Sequence, residues 1–318
     1  MKRARIIYNP TSGREGFKQK LPDVLVTFEQ AGFITSAHQT TAKGDATTAA
    51  RFACEERYDL IIAVGGDGTI NEVISGMAEQ PHRPTLGIIP AGTTNDFARA
   101  LKIPRQIDKA VQSILNGTKE ALDIGKVNDH YFINIAGGGK ITEVSYEVPS
   151  KLKTVLGQLA YVIKGVEMLP RLRPIRTRIE YDGKVMEEDI MLFLIANSNS
   201  VGGFEKLAPD ARMNDGVFDL FVLKKSNVAE FIRVISDALR GQHVSNKNVF
   251  HATASEIKVT TDETMQLNVD GEFGGLLPGH FINLKEHITC ILPTDEQKEA
   301  DEKKQILESI EFPEDASE

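Results

Sequence analysis

The sequence has no apolar run long enough to cross a bilayer. Its longest is seven residues, "IMLFLIA" at Ile190–Ala196, against the roughly 20 that a spanning helix needs. The N-terminal "MKRARIIYNP" is positively charged, but its apolar stretch is too short for a signal-peptide core, and it reads as a first strand. Cysteine is scarce. Cys54 and Cys290 are the only two, which excludes a disulfide framework and points to small core residues in a reducing, cytoplasmic setting. The seven histidines have no HxxxH or CxxC partner, so no zinc site is expected. No basic stripe with interleaved aromatics appears, and nucleic acid is therefore not an expected partner.

What charge there is lies mostly at one end. The chain carries a net −8, but the tail from Thr294, "TDEQKEADEKKQILESIEFPEDASE", holds ten acids and three bases, leaving the rest at about −1. The 318 residues, 41% apolar and 26% charged, suffice for two domains with well-buried cores.

The first 120 residues alternate strand and helix signals. Strands read at 3–8, 34–40, 59–64 and 85–90, with helices after the turn "NPTSG", over 44–57 with Asp45 as N-cap, over 70–79, and from 95 onward. Short apolar strands separated by helices predict a parallel sheet covered on both faces, which holds its ligands at the carboxyl ends of the strands. After about Leu122 the rhythm changes. Strand signals joined by turns at Asn128-Asp129, Asp182-Gly183, Asn214-Asp215-Gly216 and Asp270-Gly271 predict a mostly antiparallel β-sandwich. Helices are expected at 150–169 and near 228–240. The predicted division is 1–122 for an α/β nucleotide-binding domain, 123–293 for the β domain, and 294–318 for an acidic tail, helical to about Ser309.

The chemistry begins at "AVGGDGTINEV" (63–73). A strand, a glycine-rich turn and a helix start aim backbone N–H groups and a positive helix end at one place, which suits phosphate oxygens. No Lys-Ser/Thr follows, so this is not a P-loop, and Asn71 stands where a dinucleotide fingerprint needs its third glycine. A tight turn explains glycines, but it does not explain Asp67. A carboxylate beside phosphates repels them unless a cation lies between, and the cation expected is Mg²⁺. "PAGTTNDF" (90–97) repeats the pattern with Gly92, Thr93 and Asp96. Asp96 alone could simply cap its helix; with Asp67 it forms the pair that metal-assisted phosphoryl transfer requires. "NPTSG" (9–13) ends the first strand with further polar groups.

Three other stretches stay open on local sequence. Glu272, after the Asp270-Gly271 turn, reads by default as a solvated acid. The loop "LAPDARMNDGVFDL" (207–220) is equally a hairpin turn or a metal loop around Asp215. The 150–169 segment repeats Leu152, Val155, Leu156, Leu159, Val162, Ile163 and Val166 at helical spacing, before Lys164, Arg171, Arg173, Arg176 and Arg178. That is a core helix with a solvated strand face, or an element that seeks a lipid surface.

The ordered set "YNPTSG … GGDGTINEV … PAGTTNDFAR … LNVDGE" resembles the diacylglycerol kinase catalytic family, which includes sphingosine and ceramide kinases. Its length and order are similar to the Gram-positive bacterial members. GGDGT alone also occurs, in close form, in NAD kinases and 6-phosphofructokinases; with Asn-Glu after it and GTxNDFAR about 25 residues later it is specific. The resemblance covers residues 3–293.

It implies an α/β nucleotide domain of NAD kinase/6-phosphofructokinase type followed by a β-sandwich. ATP would contact Asn9, Pro10, Thr11, Ser12, Gly13, Thr40, Gly66, Asp67, Gly68, Thr69, Ile70, Asn71, Glu72 and Thr93. Asp67 and Asp96 would hold a catalytic Mg²⁺ through water, and Glu272 would accept the proton of the lipid hydroxyl. A structural Mg²⁺ would bind Arg212, Asp215 and Val217. The activity implied is phosphorylation of diacylglycerol to phosphatidic acid, recycling the diacylglycerol of phospholipid and lipoteichoic-acid metabolism. The enzyme would be cytoplasmic, visit the inner face of the membrane transiently, and assemble as a homodimer. Rival readings are a kinase for another lipid alcohol, an NAD kinase, or a non-catalytic lipid-binding regulator.

Overall fold

In a computed structural model of the chain, the structure describes residues 1–139, 173–199, 208, 211–227, 230, 233–234, 237–238 and 246–299. The expected helix at 150–169, Lys164 and Arg171, most of the expected 228–240 helix and the tail beyond 299 lie outside the described residues. The chain divides into two compact units, Met1–Glu120 with Thr289–Glu318, and Ala121–Ile288.

The first unit alternates β1 (Lys2–Tyr8), α1 (Gly16–Gln30), β2 (Phe33–Gln39), α2 (Asp45–Glu55), β3 (Leu60–Gly65), α3 (Asp67–Met77), β4 (Thr85–Pro90), α4 (Asp96–Ala100) and α5 (Ile107–Asn116). A short 3-10 turn, Ser12–Glu15, leads into α1. The strands are parallel in the order β4-β3-β1-β2. Every residue of β3 is buried, as a central parallel strand covered on both faces requires. Beyond Ile288 the chain returns to this sheet, where Cys290 pairs in parallel with Leu86 of β4. Cys54 and Cys290 are both buried and unpaired, and burial pushes their thiols up to about 11 and about 12.

Two helix starts differ from expectation. α3 begins at Asp67, three residues before the predicted 70, because Gly66 supplies an extended N-cap. Asp67 therefore stands in the first turn of a helix, not inside a loop. The N-cap of α2 is Gly44, at φ +84°, and Asp45 is the first helical residue. Its carboxylate turns back to accept from the N–H and hydroxyl of Thr41 at 2.8 and 2.9 Å.

The second unit is built from strands. β5 (Thr118–Val127) enters it, and β6 (His130–Phe132), β7 (Ile135–Gly139), β8 (Ile175–Tyr181), β9 (Lys184–Ala196), β10 (Phe218–Lys224), β11 (Val249–Ala254), β12 (Glu256–Thr261), β13 (Gln266–Val269), β14 (Glu272–Leu276) and β15 (Gly279–Leu292) follow. Within this unit every strand pairing with a printed register is antiparallel. β9 is long enough to pair with β8 through its first half and with β7 and β10 through its second. The inward positions form one core that includes Phe132, Ile179, Phe193, Phe218, Ile257 and Phe281. Phe132 and Phe218 stack with ring centroids 5.3 Å apart. The architecture is thus α/β followed by an antiparallel β-sandwich. No helix among the described residues is long and apolar enough to cross a membrane.

Candidate active site

In the first unit, three strand ends deliver three loops to one place. Asn9 N–H bonds the carbonyl of Val64 at 3.0 Å, and Ala91 N–H bonds that of Gly65 at 2.8 Å. The β1, β3 and β4 exits are thereby fastened side by side. Glycine is required by the closeness of the loops: a Cβ on Gly92 would lie 2.5 Å from the Cα of Gly66, and one on Gly13 would lie 2.8 Å from the carbonyl oxygen of Ala91. The backbone of each loop is therefore available at close range to a phosphate.

The carboxylates follow from the same packing. Phe97 N–H, in the first turn of α4, donates to Oδ1 of Asp67 at 3.1 Å. Asp67 opens α3 and Asp96 opens α4, so the structure brings the two predicted acids to adjoining helix starts. Asp96 is 8% exposed, and its Oδ1 lies 3.6 Å from an Arg99 nitrogen. Asn95 holds this loop from a left-handed conformation, φ +54°. Its Oδ1 accepts from Gly92 N–H and its Nδ2 donates to the Gly92 carbonyl, both at 2.8 Å.

The other predicted contacts divide. Asn9 Oδ1 accepts from the N–H and hydroxyl of Thr11 at 3.0 and 2.8 Å, ordering the 9–13 turn beside Pro10 and Ser12. Thr40 N–H continues the edge by bonding Tyr8. Gly68 and Thr93 are exposed and Thr69 is partly so; the Thr93 carbonyl accepts from Arg105 at 3.1 Å. Asn71 Oδ1 accepts from Ser75. Ile70 is fully buried and its N–H bonds Gly66, so its side chain belongs to the core. Glu72 accepts from the N–H groups of Gly44 and Ala46 at 2.9 and 3.2 Å, which fastens α3 to the start of α2.

Asp67 and Asp96 offer hard oxygen donors without thiol or imidazole, the donor chemistry of Mg²⁺. No group of three or more His, Cys, Asp or Glu that could hold a metal occurs among the described residues. Two carboxylates completed by phosphate oxygens and water are the usual Mg²⁺ arrangement at a nucleotide, and these residues fit it.

In the second unit, Glu272 is exposed at the start of β14. The Asp270-Gly271 turn before it takes φ +49° and +87°. Asp270 has a role that the sequence reading missed. Its Oδ2 accepts from Ile133 N–H at 2.8 Å, and its Oδ1 accepts from Asn134 and Ile135 N–H at 2.9 Å each. The turn carrying Glu272 is thus bolted to the β6–β7 connection. Asn134 in turn accepts the hydroxyl of Ser198 at 3.0 Å.

The 212–217 loop is organised by a second missed residue, Asp123. Fully buried, it accepts from Gly216 and Glu286 N–H, both at 2.7 Å. An acid between Leu122 and Ile124 in an apolar strand was its only sequence signal. Asp215 is exposed, and its Oδ1 accepts from Val217 N–H at 3.1 Å; Arg212 is also exposed. One carboxylate and neighbouring carbonyls suit a hydrated Mg²⁺ in kind.

Residues 3–127 match the family model described as "Diacylglycerol kinase catalytic domain". Residues 142–292 match one described as "YegS C-terminal NAD kinase beta sandwich-like domain". The diacylglycerol kinase of Bacillus subtilis (strain 168) is 61% identical over 303 residues, 95% of this chain and 100% of the relative. That of Staphylococcus saprophyticus is 54% identical over 298 residues, 94% and 98% of the two chains. Among solved structures, a diacylglycerol kinase from Bacillus anthracis str. Sterne aligns with a TM-score of 0.72 at 27% identity, covering 92% of this chain and 97% of that one. Sequence likeness over nearly the whole length and the paired carboxylate turns lead to one conclusion: the chain belongs to the diacylglycerol kinase family.

Proposed function

We propose that the chain transfers the γ-phosphoryl group of ATP to the free hydroxyl of diacylglycerol, giving phosphatidic acid and ADP. The observation that carries this reading is the Phe97–Asp67 hydrogen bond, which sets two helix-opening carboxylates at glycine turns suited to phosphate. The backbone of Asn9–Gly13, Gly66–Thr69 and Thr93 orients the triphosphate, with Thr40 at the same edge. Glu72 fastens α3 to the start of α2, with Asn71 beside it in the same helix. Asp67 and Asp96 would hold Mg²⁺ through water, and the ion, when bound, offsets charge between carboxylates and phosphates. The hydroxyl oxygen forms the new bond to phosphorus as the bond to the bridging oxygen of ADP breaks. The hydroxyl proton passes to the Glu272 carboxylate. A structural Mg²⁺ on Asp215 and the carbonyls of Arg212 and Val217 would brace the second unit.

The acceptor is a membrane lipid, so the reading includes transient work at the inner face of the membrane. Two buried, unpaired thiols suit a reducing cytoplasm. Homodimer assembly and a role in recycling diacylglycerol belong to the same reading. The test is to supply diacylglycerol in mixed micelles with Mg-ATP and measure phosphatidic acid, with ceramide and NAD as competing acceptors. Glu272→Ala should lose on the order of 10²-fold in turnover while still binding nucleotide. Preferred turnover of NAD or ceramide would replace the acceptor assignment, and undiminished turnover would remove Glu272 from the mechanism.

A further inference from the structure

The helix α3 directs one acid at each of two neighbouring helices. Asp67, at its start, accepts from Phe97 N–H of α4 at 3.1 Å. Glu72, five residues on, accepts from Gly44 N–H through Oε1 at 2.9 Å and from Ala46 N–H through Oε2 at 3.2 Å. Five residues turn a helix by about 140°, so the two acids leave α3 in different directions. Glu72 shares its side of α3 with Gly76, four residues later. There α2 and α3 meet backbone to backbone: a Cβ on Gly76 would run into the Thr47 carbonyl oxygen.

What Glu72 grips is the turn between β2 and α2. Tyr8 of β1 pairs with Gln39 of β2 on one side and Val64 of β3 on the other, so these three strands end in one row. Thr40 leaves that row with its N–H on the Tyr8 carbonyl. Asp45 closes the turn from within, accepting from Thr41 N–H at 2.8 Å and from the Thr41 hydroxyl at 2.9 Å. Gly44 completes it at φ +84°. The exit of β2 therefore stands two strand spacings, roughly 10 Å, from the glycine turn after β3. A nucleotide whose phosphates lie on the glycine turns extends its ribose and base over a gap of that size.

We propose that Glu72 is a positioning residue for the nucleoside end of ATP. It sets the Thr40–Gly44 turn against which the ribose and base lie, and its own carboxylate does not touch the nucleotide. This role rests on the reading of the glycine turns as the phosphate site given above. Both Glu72 oxygens already accept backbone N–H groups, and the positive end of α2 offsets their charge. Turned instead toward the triphosphate, the same carboxylate would repel it. Because Asp67 and Glu72 belong to one helix, α3 fixes the distance between the phosphate turns and the nucleoside turn. A residue away from the phosphates thereby determines how tightly ATP is held.

The test compares two probes on the full chain without lipid: Mg-ATP, and Mg-tripolyphosphate, which has the phosphates and no nucleoside. Glu72→Ala should weaken ATP binding about tenfold or more and leave tripolyphosphate within about twofold of wild type. Glu72→Gln keeps one acceptor oxygen and should recover part of the loss. In turnover, KM for ATP should rise while kcat stays unchanged, the signature of binding lost equally in ground and transition states. Gly44→Ala strains the same turn at its left-handed position and should produce the same selective loss. Because both substitutions act through one turn, the double variant should be no worse than the poorer single one. A thermal melt of each variant shows that it is folded at the assay temperature. Additive losses would mean that Glu72 meets the nucleotide directly, and equal weakening of both probes would move its effect to the phosphates; either overturns the proposal. So does unchanged ATP affinity in folded Glu72→Ala, which would leave only a brace between two helices. Wild type that binds neither probe instead sinks the phosphate-site reading, and this role with it.

Discussion

Phe97 donates its backbone N–H to the Asp67 carboxylate at 3.1 Å, so the acid that opens one helix is held by the first turn of the next. The bond lets structural and electrostatic roles be separated. Asp67→Asn keeps an oxygen acceptor for Phe97 but removes the charge, whereas Asp67→Ala removes both. If the charge serves a metal and phosphates, the Asn variant should fold normally and lose on the order of 10²-fold in turnover. Near-wild-type phosphatidic acid formation by Asp67→Asn would reduce the residue to a brace for α4.

The contact between glycines makes a prediction about nucleotide rather than acceptor. A methyl group on Gly92 would meet the Gly66 Cα at 2.5 Å and Asn95 Oδ1 at 2.8 Å. Gly92→Ala should therefore push the two glycine turns apart. Overpacking of this kind costs roughly 1–3 kcal/mol, which a thermal melt would show as a fall in midpoint. The KM for ATP should rise while that for diacylglycerol stays unchanged. An unaltered KM for ATP would mean that the turns do not touch the phosphates.

Legibility in the sequence followed the range of the physics involved. The alternation of buried strands with helices announced the parallel sheet, because strand period and turn chemistry are local. Asp67 and Asp96 stood out because an acid among glycines of a kind suited to phosphate is a local contradiction. Glycines at 66 and 68 lower local helix propensity, which puts the expected start of α3 three residues after the Asp67 where it begins. Asp123 and Asp270 were passed over for another reason. Their partners are 93 and about 136 residues away in sequence, so nothing beside them signals their role. Glu272 could be given a role only through family resemblance.

Asp45 predicts an acid-dependent loss of stability in the first unit. Thr41 N–H, then the Thr41 hydroxyl and His38, hold its carboxyl below the ordinary value of 3.8. A carboxyl depressed by folding contributes stability above its unfolded pKa and loses it as pH falls through the folded one. The melting difference between wild type and Asp45→Asn should be fully developed at neutral pH and shrink as pH drops below about 4. A difference independent of pH would mean that the side chain acts through shape alone.

Asp270 predicts a positioning effect on Glu272. Its two oxygens satisfy three backbone N–H groups, from Ile133, Asn134 and Ile135, at 2.8–2.9 Å. Asp270→Ala would leave these donors without their acceptor, at a cost of roughly 2–4 kcal/mol, and would free the turn that carries the proposed base. Asp270→Asn retains one carbonyl oxygen and should recover part of both losses. A residue that only stabilises would lower the melting point and leave the kinetics of the surviving folded enzyme intact. Positioning instead requires kcat to fall by about 10- to 100-fold at a temperature where the variant is fully folded, with KM for ATP unchanged and kcat partly restored in the Asn variant. Unchanged kcat in folded Asp270→Ala would show that the hairpin keeps Glu272 in place without this anchor.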